Sequence, residues 1–179
     1  MTTKHLLAAT LVACSLSAQA QVIQTYQVRD AVTLRTPILT DSINTEGRRY
    51  ETRNLLSTAI GLNQDNYTTQ TMEADTAGLV KLAAADGEHL IYVVSTQIRA
   101  DRFMRGKLKV TSPVRWEAYI NGASKSRKER ADDSLNVKAA QDIALRLEPE
   151  RNYEITLKFL AHKDDKVAPT FKCEAVADK

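Results

Sequence analysis

The chain has 179 residues and a mass of 19.9 kDa, enough for one ordinary domain with its own core. Its 25 basic and 22 acidic residues are interspersed and leave a formal net charge of +3, falling to +2 if Lys4 is lost by processing, so no strongly basic or acidic partner is implied. Only two cysteines are present, Cys14 and Cys173, which excludes a small disulfide-stapled fold and leaves the core to ordinary packing.

Residues 1–20 read as a secretory signal peptide. Lys4 supplies a positive start, Leu6 to Val12 an apolar run, and Ala18-Gln19-Ala20 a small-x-small cleavage signal before Gln21. A second processing route is written in Leu11-Val12-Ala13-Cys14, which resembles a bacterial lipobox and would leave the chain lipid-anchored through Cys14. Either route predicts export, to the periplasm or the outside of the cell. No later segment is long and apolar enough for a transmembrane helix. With Cys14 removed, Cys173 is alone and is expected to pack as a small apolar side chain.

Residues 21–78 predict strands, one short helix and a polar connection. Val22 to Val28 alternates as a first strand, with Val22, Gln24, Tyr26 and Val28 on one side. Val32 to Thr40 is a second extended segment, in which Pro37 removes one backbone donor and suits an edge or a bend. Thr52 to Leu62 is the helical segment, because Leu55, Leu56, Ala59 and Ile60 share a face at helical spacing and Gly61 stands near the end. Asn63 to Gly78 then reads as a polar connection.

From Leu79 to the end the period is two, and residues 79–179 are expected to form the core of a β-sandwich. Leu90, Tyr92, Val94, Thr96, Ile98 and Ala100 share one face, while Ile91 and Val93 make the opposite face apolar only at its beginning. Leu108 and Val110 continue the pattern. Val114, Trp116, Ala118 and Ile120 project together, and Arg115, Glu117, Tyr119 and Asn121 project the other way. Asn121-Gly122 is the turn signal, since both residues tolerate the positive φ that a two-residue type I′ hairpin demands. The basic run Lys125 to Arg130 follows, read as a solvated loop or edge strand because Asp132 and Asp133 come next and no aromatic residue is interleaved. Ile143, Leu145 and Leu147 precede a polar link from Glu148 to Asn152, and Tyr153, Ile155, Leu157, Phe159 and Ala161 follow it. That link is expected to join antiparallel neighbours. Thr170 to Ala177 predicts an edge strand with Phe171, Cys173 and Ala175 on one side. Trp116, Leu145, Ile155, Leu157 and Phe159 are the predicted core, and two packed antiparallel sheets are the arrangement that buries such stripes.

The segments "IYVVSTQIRADRF", "GKLKVTSPVRWEAYINGAS" and "IALRLEPERNYEITLKFLA" resemble the galactose-binding-like, jelly-roll modules found beside catalytic domains in secreted bacterial hydrolases. Together with "TDSINTEGRRYETRNLLSTA", most of the mature chain also resembles the amino-terminal, noncatalytic region of exported Bacteroidetes prolyl-oligopeptidase-like proteins. The resemblance implies a mostly β, jelly-roll sandwich with one short helix and an accessory role, the noncatalytic part of such a protein, present here either as a fragment of a larger peptidase-like protein or as a shortened gene product.

The residues themselves predict no catalysis. No G-x-S-x-G nucleophile elbow is present. Asp86 and His89 lie in a polar approach to a strand. His162 with Asp164 and Asp165 lacks further ligands at the spacing a zinc site requires, so neither a metal nor a cofactor is expected. The expected role is a noncatalytic module that contacts another domain or exported protein, with no nucleic-acid partner. The alternative is a carbohydrate-binding module. Tyr119 and Tyr92 are the candidate contacts, each offering a stacking face and a hydroxyl, with Asn121 at the adjoining turn.

Overall fold

The computed structural model describes residues 21–34, 56, 69–134 and 140–178. Through them run β1 (Gln21–Val22), β2 (Thr25–Arg29), β3 (Val32–Thr33), β4 (Thr69–Glu73), β5 (Val80–Lys81) and β6 (His89–Arg99). There follow β7 (Met104–Thr111), β8 (Arg115–Ile120), β9 (Ala123–Lys128), β10 (Ala140–Leu147), β11 (Asn152–His162) and β12 (Thr170–Ala177). The larger sheet has the order β4-β2-β6-β11-β8-β9, with β3 also on β6. The smaller has the order β1-β12-β7-β10, with β5 also on β12. The paired strands are antiparallel throughout, and the two sheets pack face to face as the expected sandwich.

Alternation decides which side chains enter the space between the sheets. Tyr92, Phe159 and Trp116 stand in register on β6, β11 and β8, forming a row of rings across the inner face of the larger sheet. From the smaller sheet Phe171 meets them, stacked on Phe159 at 4.8 Å between centroids and edge-on to Tyr26 at 4.9 Å. Trp116, Leu145, Ile155, Leu157 and Phe159 are all buried in this one cluster, as the alternation predicts. Each buried aliphatic or aromatic side chain of this kind stabilises by about 1.5–3 kcal/mol before conformational entropy is subtracted. Cys173 lies in the same cluster, and burial pushes its thiol up to about 12, so it behaves as an apolar filler.

The outer face of the larger sheet carries a second, smaller cluster of Leu34, Leu56, Ile91, Val93 and Leu160. Leu56 is helical and fully buried there; the rest of the predicted helix, and Arg35 to Thr40 of the second extended segment, lie outside the described residues. Beyond Val93 this face turns polar with Ser95 and Gln97, the change of character the sequence predicts along β6.

Four expectations are corrected. The first strand breaks at Ile23-Gln24, where the chain passes from the smaller sheet (β1) to the larger (β2). Ile23 therefore points inward beside Tyr26 and Val28, and Gln24 outward, against strict alternation. The polar connection contains β4, whose backbone pairs with β2 although its side chains are mostly exposed. Glu148 to Asn152 does not join neighbours, because β10 pairs with β7 and β11 with β6 and β8, so the link carries the chain from one sheet to the other. Glu150 takes a φ of 59° there, and its N–H donates to Ala100 O at 3.0 Å. Finally, β12 is not an edge. It lies between β7 on one side and β1 and β5 on the other.

Candidate functional site on the outer face of the larger sheet

β8 places Trp116 and Ala118 inward, and Glu117 and Tyr119 outward. The Asn121-Gly122 turn has φ values of 49° and 76°, the two positive values of a type I′ hairpin, and returns the chain as β9. A bulge between Ala118 and Tyr119 shifts the register so that Ser124 faces Tyr119 while Arg127 faces Glu117. On the other side β11 sets Thr156 opposite Tyr119 and Lys158 opposite Glu117. The sequence therefore concentrates ionic and hydroxyl groups around one tyrosine.

Glu117 is 1% exposed although alternation assigns it to the solvent side. Its Oε1 accepts the Ser124 hydroxyl at 2.6 Å and the Arg127 guanidinium at 2.9 Å. Burial alone would raise the Glu117 carboxyl. The hydrogen bonds from Arg127, Ser124 and Tyr119, with the charge of Arg127, outweigh it and hold the carboxyl below its usual value. The same carboxylate helps raise Tyr119: burial comes first, then the hydrogen bond to Glu117, and together they push the phenol up to about 12. Lys158 Nζ lies 5.1 Å from the Tyr119 ring centroid in a cation–π arrangement, and burial lowers its ammonium. Towards β6 the polar surface continues through Glu154, which accepts the Ser95 hydroxyl at 3.2 Å. This face offers a half-buried aromatic ring, an anchored carboxylate and neighbouring cations.

The basic run is an edge strand rather than a free patch. Arg127 pairs with Glu117 and Glu129, and Lys128 Nζ pairs with Asp132 at 2.6 Å while donating to Ser112 O.

Of the predicted contact residues, the structure brings Tyr119 and Asn121 to this face and leaves Tyr92 elsewhere. Asn121 is engaged in holding the hairpin: its N–H donates to Glu154 O at 2.9 Å and its Oδ1 accepts the Glu154 N–H at 2.9 Å. Tyr92 points into the core at 2% exposure and donates its hydroxyl to Ala83 O at 2.8 Å, so it presents no open stacking face. It borders a cleft of about 230 Å³ with Arg29, Asp30, Gln70 and the run Ala83 to Ala85, a volume below that of ordinary small-molecule pockets.

One group escaped sequence reasoning. His89 and His162 face each other across β6 and β11, with ring centroids 4.2 Å apart at 68°. Glu88 adjoins them, and the three residues offer donor atoms within 4.8 Å of one another. Burial, and then the neighbouring His162, lower the His89 imidazole. Asp165, beside this group, accepts the His162 backbone N–H, and a single Arg115 nitrogen, Nη1, reaches both of its oxygens at 2.9 and 3.0 Å. Linear spacing conceals the pair, since only the antiparallel register brings the two histidines together.

The fold and site define a two-sheet antiparallel sandwich with a polar, aromatic-bearing outer face. No protein-family model and no curated protein sequence matches the chain. Among solved structures it is similar to a β-glucosidase from Kluyveromyces marxianus in complex with glucose, with a TM-score of 0.52 and 8% identity over 87% of this chain and 16% of that one. A selenomethionine-labelled β-glucosidase from the same yeast gives 0.43 at 11% identity, over 65% of this chain and 13% of that one. A GH31 α-xylosidase from Xanthomonas citri gives 0.36 at 12% identity, over 86% and 16%. At such identities the first of these establishes likeness of fold, and the other two add nothing to it. The chain spans less than a fifth of the length of each. None of these is a prolyl-oligopeptidase-like protein, and that resemblance gains no support from them.

Proposed function

We propose that the chain is a noncatalytic accessory module of an exported protein, working beside another domain or protein through the outer face around Tyr119. The observation that carries this reading is the match of most of this chain to 16% of a much larger glycosidase chain, where a sandwich of this fold is one part among others. The Glu117–Arg127–Ser124 cluster supports it, because side chains already held in place lose little freedom when a partner docks on them. Function on a sandwich belongs to its surface and not to the fold, so the reading stands or falls on that face. The signal peptide and its cleavage before Gln21 are part of the proposal.

The same face supports a second reading, carbohydrate binding, favoured by the likeness to a β-glucosidase. Tyr119 would stack on a sugar ring, and Arg127 and Lys158 would meet its hydroxyls, with the buried Glu117 holding Arg127 in place. A glycan panel probed with the purified chain separates the two readings. Retention on a glycan that falls at least about tenfold in Tyr119→Ala, with an unchanged melting temperature, assigns the face to sugar. Absence of retention across the panel leaves contact with a protein domain. Turnover of glycosides or peptides by the isolated chain would overturn the noncatalytic reading itself.

A further inference from the structure

We propose that Glu88, His89 and His162 form a binding site for a single divalent transition-metal ion of the zinc class. His89 opens β6 and His162 closes β11, and their register makes them directly opposed. Both side chains fall on the outer side of the sheet, beyond Ile91 and Leu160. The donor atoms of the three residues lie within 4.8 Å of one another. Around a tetrahedral ion with bonds of about 2.0–2.1 Å the ligand atoms stand roughly 3.3 Å apart, so closure needs a shift of no more than about 1.5 Å. The Glu88 side chain, 41% exposed, has room to move towards the imidazoles.

Two further observations point to an ion. His89 Nδ1 is buried and has no hydrogen-bond partner among the described residues, an uncommon condition for a polar atom cut off from water. Asp164 Oδ2 lies 3.4 Å from His162 Nδ1, the place from which a carboxylate orients a metal-bound imidazole. His162 Nδ1 accepts the Asp164 N–H at 3.2 Å. Coordination through Nε2 would turn Nδ1 into a donor towards the Asp164 carboxylate. The opposing charges are Lys163, whose Nζ is 3.5 Å from Glu88 in an exposed and therefore weak pair, and Arg115, which is paired with Asp165. Two imidazoles and one carboxylate suit zinc, cobalt, nickel or copper, and are a poor set for calcium or magnesium. With three protein ligands at the surface, a fourth position is open to water or to a donor from a partner.

Calorimetric titration of the untagged full chain with Zn²⁺ tests the site. One ion per chain is expected, with Co²⁺ giving the visible absorption of a four-coordinate ion and Ca²⁺ giving no heat. His162→Ala should remove that step, and Glu88→Gln should weaken it at least about tenfold. Glu88→Gln changes an exposed side chain and keeps the test sound if the histidine variant misfolds. No one-ion step in the unaltered chain, or a step of equal affinity in both variants, overturns the proposal.

Discussion

Glu117 shows how an acidic residue can be buried at the surface of a sheet without becoming neutral. Its position follows from alternation along β8, and its charge is retained because Arg127 and Ser124 reach the same oxygen. The folded carboxyl lies below its ordinary value of 4.5. Its contribution to stability is therefore complete above that value and is lost as pH falls through the lower, folded value. In thermal unfolding, Glu117→Gln should cost about 1–3 kcal/mol at neutral pH. The gap between the two melting curves should then narrow as pH drops below the carboxylate range. A gap that stays constant on acidification would show that the charge of Glu117 contributes nothing.

At the scale of strands, two glycines separate backbone strain from steric fit. Gly122 has a φ of 76° and open space where a Cβ would lie, so Gly122→Ala should cost only the left-handed penalty, about 1–2 kcal/mol. Gly106 on β7 faces the opposite situation: a Cβ there would sit 2.2 Å from Val176 O and 3.0 Å from Ala177 Cα, both backbone atoms of β12. Gly106→Ala should therefore be the more damaging change in chemical denaturation, because β7 and β12 must separate to admit the methyl group. The Asn-Gly bend could be read in advance, since its requirement for positive φ is local. So could β6, β8 and β11, whose alternation spans enough residues to name the buried face. The closeness of Gly106 to β12 could not, nor could the transfer of the chain between sheets at Ile23-Gln24 and at Glu148 to Asn152. Alternation states which way a side chain points but not which strand lies alongside. β4 was missed because Thr69 to Glu73 buries little, and its place in the sheet rests on backbone hydrogen bonds.

Across the whole molecule, the two sheets share one interior, and the larger sheet also carries the outer surface from which function is proposed. Tyr119 was legible as outward-facing from its position opposite Trp116. Tyr92 was equally legible as inward-facing, since it shares the apolar face of β6 with Leu90, Val94 and Ile98; its choice as a contact rested on residue type alone. The His89–His162 pair depends wholly on the pairing of β6 with β11. The placement of β12 has a temporal consequence. A ribosome delivers β1, β5 and β7 before Thr170 to Ala177, yet all three take hydrogen bonds from that later segment. The nascent polypeptide thus lacks a strand it cannot replace until Ala177 has emerged, and its apolar half-core stays open meanwhile. A version terminated after Pro169 should remain protease-sensitive throughout, whereas one ending at Asp178 should acquire resistance.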